Sequence, residues 1–212
     1  MVKYNYIYIH ICCLNNYAEV FNNLMNYIKK SGLYDEITEI RCGILGIRDM
    51  SNPMFQDPKI KIIGTSPNMT LYETFTINML REDAINQNDN EEFNALYLHS
   101  KGITRPNNIY VNDWFNYMCY FNIIQYKTCI ELLNENDTVG VNLQANMCPL
   151  HYSGNFWWSK SSYLKKLPLC TTNTYNSPEY WLTELECGKY INLHTSNVNH
   201  YHQRYLEEQY NI

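Results

Sequence analysis

The chain of 212 residues carries 45% hydrophobic and 17% charged side chains, a globular balance on a length that fits one domain. Its formal net charge of −5 excludes a protein whose affinity comes from neutralising phosphates along a nucleic acid, while leaving room for one small basic pocket. No apolar run approaches the ~18–20 residues that cross a bilayer, so no transmembrane segment is expected.

The predicted elements alternate. Residues 6–13, rich in β-branched and aromatic side chains, read as a buried first strand. The stretch before it has no basic region followed by a long apolar core, so it does not read as a signal peptide. Residues 17–30 place Val20, Phe21, Leu24, Tyr27 and Ile28 on one helical face, and Ser31-Gly32 stops the helix. Strands follow at 37–45 and 59–63, then a helix at 70–81, a polar loop at 86–92 and a buried strand at 94–98. The spacing then predicts one long helix over 111–133, strands at 138–143 and 153–158, and a helix over 161–167. A further helix starts at Ser177-Pro178, since proline suits a first turn. A last strand at 191–194 precedes a polar, histidine-rich tail at 197–205. Strands alternating with helices imply a single α/β domain with a mostly parallel sheet flanked by helices. Ligands of such sheets bind at the carboxyl ends of the strands.

Eight cysteines occur: Cys12, Cys13, Cys42, Cys119, Cys129, Cys148, Cys170 and Cys187. None has Cys-x-x-Cys spacing and most sit in apolar runs, so they read as buried thiols of a reducing compartment. Gly43-Ile44-Leu45-Gly46 lacks the Gly-Lys-Ser/Thr or third glycine of a phosphate loop, and no Gly-x-Ser-x-Gly elbow is present.

Three segments could carry chemistry. His99-Ser100-Lys101-Gly102 stands where a buried strand emerges; Lys101 could neutralise a diphosphate, although Lys-Gly is also a common turn. In His151-Tyr152-Ser153-Gly154-Asn155-Phe156-Trp157-Trp158, a polar glycine step adjoins aromatic surface on which a sugar could stack. Core burial is the commoner fate of such tryptophans, and alternation along a strand turns one of the two inward. Glu179 and Glu73 both open helices, where a carboxylate also serves the dipole. His200 and His202 would share one side of an extended tail, a geometry able to bind a metal.

Taken together, Tyr97-Leu98-His99-Ser100-Lys101-Gly102, Ser153-Gly154-Asn155-Phe156-Trp157-Trp158 and Glu179-Tyr180-Trp181 resemble the signatures of small glycosyltransferase-like proteins of bacteria and large DNA viruses. The resemblance implies a GT-A-type nucleotide-diphosphate-sugar domain. Residues 1–102 would form the donor-binding half, and 103–205 the acceptor side and tail. It further implies transfer of a sugar from a nucleotide-sugar donor to a glycan or other hydroxyl acceptor, by inverting displacement. Glu179 would be the general base, with His151 as the alternative. Cys13, His99, Ser100, Lys101 and Gly102 would hold the donor diphosphate, and Tyr152, Ser153, Gly154, Asn155, Trp157, Trp158 and Trp181 the sugar or acceptor. His200 and His202 would be the metal ligands. Where such a fold normally carries Asp-x-Asp, this sequence has His99-Ser100-Lys101, which leaves the use of Mn or Mg open. That departure also motivates the alternative of an inactive glycan-binding or scaffolding module. The expected location is cytoplasmic, in the host cytoplasm or the virion for a viral member.

Overall fold

The computed structural model describes residues 4–46, 53–88, 91–144, 149–171 and 174–211. Strand β1 (Tyr4–Cys12) leads into helix α1 (Tyr17–Lys30), a short α2 (Leu33–Glu36) and β2 (Glu39–Leu45). Next come β3 (Ile60–Ser66), α3 (Thr74–Asn86) and β4 (Phe93–His99). Helices α4 (Ile109–Cys119) and α5 (Tyr126–Leu132) precede β5 (Thr138–Gly140), β6 (Trp157–Lys160), α6 (Ser161–Leu164), α7 (Ser177–Trp181) and β7 (Tyr190–Asn192).

The strands form one seven-stranded sheet in the order β3-β2-β1-β4-β6-β5-β7. β1 pairs in parallel with β2 and β4, whereas β6 runs antiparallel to both β4 and β5. The sheet is therefore mixed, a correction to the mostly parallel one expected. Parallel neighbours need a crossover, usually a helix, but the chain between β5 and β6 folds back on itself. An isolated antiparallel bridge between Leu143 and Tyr152 marks that return.

Alternation along β1 divides the core. Ile7, Ile9 and Ile11 pack on one face with Phe21, Leu24 and Ile28 of α1 and with Trp114 and Tyr117 of α4. Tyr6 and Tyr8 point the other way, toward Ile77 and Leu80 of α3 and Tyr163 and Leu164 of α6. Both faces are thus covered by helices.

The expected helix over 111–133 is interrupted by a π-helical turn, Tyr120–Ile124. Widening the turn frees the Asn122 carbonyl, which accepts the Trp158 indole N–H at 2.8 Å. The break thereby ties the helical layer to β6. No disulfide links the described cysteines; Cys148 lies outside the described residues. Among the described residues, no helix is long and apolar enough to cross a membrane.

Candidate active site

Strand order reverses between β1 and β4: β2 and β3 continue outward from one, β6, β5 and β7 from the other. Such a switch point opens a crevice beyond the strand ends, the usual ligand site of open α/β sheets. A cavity of about 390 Å3 lies there.

Its floor is the two strand ends. Cys12 N–H donates to Ser100 Oγ at 3.0 Å, and Ser100 N–H to the His10 carbonyl at 2.9 Å, which sutures β1 to the exit of β4. His10 Nδ1 lies 2.8 Å from Thr76 Oγ1, and burial lowers its pKa to about 4. His99 Nε2 reaches the Gly154 carbonyl at 3.0 Å, which places its proton there. Burial and then the Lys101 charge lower the His99 pKa to about 3.

Two carboxylates face the cavity from different parts of the chain, one at the start of α3 and one on α7. Glu73, just before α3, accepts from Tyr97 Oη at 3.1 Å and Asn155 Nδ2 at 2.7 Å, and its Oε1 lies 3.6 Å from His99 Nδ1. Glu179 of α7 accepts the Gly154 N–H at 2.9 Å. A single tight turn thus holds the site together. Gly154 positions Glu179 through its N–H and His99 through its carbonyl, and Asn155 positions Glu73. Gly154 has φ of 96°, and a Cβ there would lie 2.4 Å from Met118 Sδ and 3.0 Å from Trp114 Cζ2. Only glycine suits that position.

Positive charge enters from the β4 exit. Lys101 is half-buried, with Nζ 3.6 Å from the Trp114 ring centroid. Burial lowers its pKa, while Glu179 and Glu73 oppose that effect and Arg105 adds to it. Gly102, at φ of 85°, lets the chain turn against Val111. The Arg105 guanidinium lies 4.7 Å from the Tyr201 ring centroid at the mouth. Tyr72 and Tyr175 complete the rim, their rings 5.6 Å apart at 84°. Tyr72 holds φ of 46°, a strain on the order of 1–3 kcal/mol for a residue of its bulk.

Of the residues expected from sequence, His99, Ser100, Lys101, Gly102 and Glu179 line this cavity. The aromatic floor does not lie where it was expected. Trp157 and Trp158 are both buried, one in each core, because helices cover both faces of β6. Trp181 is also core, donating its indole N–H to the Pro168 carbonyl at 2.7 Å. Tyr152 is buried, its hydroxyl bonded to Thr138 Oγ1 and the Ile191 carbonyl. Gly154 and Asn155 act one step behind the cavity wall, while Ser153 uses its N–H on the Asn142 carbonyl. His151, the alternative base, lies away from the lining, its Nδ1 3.0 Å from the Pro149 carbonyl. Cys13 is half-buried beside the lining residues Cys12 and Leu14 and is not itself among them.

The histidine pair also differs from expectation. The tail turns at 199–202, where His202 N–H donates to the Asn199 carbonyl at 3.0 Å, so the two side chains do not share an extended edge. His200 is buried between Trp114, at 5.1 Å and 6° between planes, and Tyr117, at 5.5 Å. His202 is exposed. Among the described residues, no group of three or more His, Cys, Asp or Glu could hold a metal ion. The cavity's own donors do not fit a divalent ion either: its two carboxylates, Glu73 and Glu179, stand beside the Lys101 ammonium, which competes for them.

Arg105, Tyr175 and Tyr201 line the cavity without a signal in the sequence pattern, and Glu73, weighed there only as a helix-opening carboxylate, joins them. Glu73 read as a helix-opening carboxylate, and its partners lie 24 and 82 residues away in the chain.

A family model described as a domain of unknown function matches residues 53–205. No curated protein matches the chain.

Proposed function

The chain belongs to the DUF8361 family, and we propose that it is a glycosyltransferase with a GT-A-type domain, moving a sugar from a nucleotide-sugar donor to a hydroxyl acceptor. One observation carries the reading: two carboxylates and a half-buried lysine converge on one cavity at the switch point of an α/β sheet. Sugar transfer uses such a set. A base must take the acceptor proton, and a cation must meet the charge that grows on the departing diphosphate. The sequence signatures at His99-Ser100-Lys101-Gly102 and Ser153-Gly154-Asn155 support it further, because the structure joins those two segments through the His99–Gly154 hydrogen bond.

In this reading Lys101 and Arg105 receive the diphosphate. Desolvation strengthens the Lys101 contribution, since a charge held away from water acts through a lower effective dielectric. Glu179 removes the proton of the acceptor hydroxyl as its oxygen bonds to the anomeric carbon. The bond from that carbon to the donor phosphate oxygen breaks, and its electron pair leaves with the nucleoside diphosphate. Glu73 orients the site through Tyr97 and Asn155. No step passes through a metal, because the donor set does not fit one.

The test is turnover. The protein is incubated with a panel of nucleotide sugars, with and without mixed oligosaccharides, and released nucleoside diphosphate is measured. Release from at least one donor is expected. Its absence across the panel, alongside retained oligosaccharide binding, would favour an inactive glycan-binding module.

A further inference from the structure

We propose that Tyr72 and Tyr175 form the subsite for a saccharide, so that the acceptor is a glycan chain rather than a lipid, a peptide or a small alcohol. The proposal rests on the sugar-transfer reading of the cavity. The two tyrosines are 43% and 72% exposed, and their rings touch each other at the mouth. Single exposed aromatics are ordinary, but two in contact on the rim of the cavity form a built surface. The edge-to-face arrangement at 84° leaves their free faces in crossed planes. A saturated sugar ring can set weakly positive C–H groups against both such faces, whereas a flat base stacks on one.

Charge decides which end of the ligand lies here. Glu73 follows Tyr72 directly in the chain, and Glu179 stands on α7 shortly after Tyr175. Both carboxylates line the cavity and offer acceptors to hydroxyl groups while repelling phosphate. The cations rest on other rings, Lys101 over Trp114 and Arg105 over Tyr201, although the Arg105 charge also reaches Tyr175. The diphosphate therefore lies along Lys101, and Tyr72, with Glu73 next to it in the chain, faces an uncharged ligand together with Tyr175. Phenol hydroxyls and carboxylates at that mouth do not suit a lipid tail. An uncharged ligand with many hydroxyls and apolar C–H faces is a saccharide.

The experiment uses the full chain in the presence of saturating uridine or guanosine diphosphate. Binding of trisaccharides of glucose, galactose, mannose and N-acetylglucosamine is read by saturation-transfer NMR and calorimetry. At least one is expected to bind, and Tyr175→Ala to weaken it tenfold or more while changing diphosphate affinity less than twofold. Tyr175→Phe should bind like the parent, because the ring face is kept. Binding of none of the trisaccharides to a protein that does bind the diphosphate would overturn the subsite alone. So would equal trisaccharide affinity in Tyr175→Ala, or a loss confined to the diphosphate, which would make the tyrosines a nucleobase platform. Failure of every nucleoside diphosphate, with trisaccharide binding still dependent on Tyr175, would count against the transferase reading and for the subsite.

Discussion

Glu179 and Glu73 illustrate how much of the site depends on a single backbone turn. Glu179 is held by the Gly154 N–H, and Glu73 by Asn155 in the next position. Glu179→Gln keeps an acceptor for that N–H and removes only the basicity. Turnover should fall by ~10²–10⁴, the usual worth of a general base, with donor affinity little changed. Single-turnover kinetics beside a donor titration would check this, and full turnover in the variant would remove Glu179 from the role. Gly154→Ala probes the turn itself. Positive φ and the Met118 and Trp114 contacts together should cost about 3 kcal/mol, read from the shift of a urea midpoint. An unshifted midpoint would mean that the turn relaxes freely.

At the level of elements, legibility followed the strength of the local pattern. β1, α1 and β4 were readable because an apolar run or a one-sided stripe is a property of the segment alone. The predicted strand over 153–158 is strand only at its apolar end. Gly154 and Asn155 take positive φ, so the strand begins only at Trp157. The fate of the two tryptophans was beyond the sequence for a different reason. Alternation sends them to opposite faces, but whether a face is covered depends on α3, α6 and α4, which arrive from elsewhere in the chain. The lysine at the β4 exit was legible as a candidate; its seat on Trp114 was not. The π-helical turn has a test of its own. Trp158→Phe removes the bond to the Asn122 carbonyl and part of the ring volume, and should cost roughly 1–3 kcal/mol. Trisaccharide and diphosphate binding should be unaffected. Lost binding at unchanged stability would return Trp158 to the site.

For the whole molecule, three buried histidines link folding to pH. His10, His99 and His200 have pKa values lowered to about 4, 3 and 4, with desolvation the leading cause in each. Each is neutral in the folded chain, while the unfolded chain protonates near the ordinary histidine value of ~6.5. Stability is therefore whole above that value and falls as pH drops toward the folded values. Urea unfolding between pH 7 and pH 4.5 should show the midpoint falling steeply, and a flat profile would contradict the buried neutral state.

The reading of the cavity as a donor site makes one direct demand, that it bind a nucleoside diphosphate through Lys101. Thermal unfolding of the parent and of Lys101→Ala, with a panel of nucleoside diphosphates at ~100-fold over the dissociation constant, measures this. The parent should gain on the order of 5–10 °C with at least one of them, and Lys101→Ala should bind it roughly 10–100-fold more weakly. No stabilisation of the parent by any nucleoside diphosphate, or equal affinity in the variant, would contradict it.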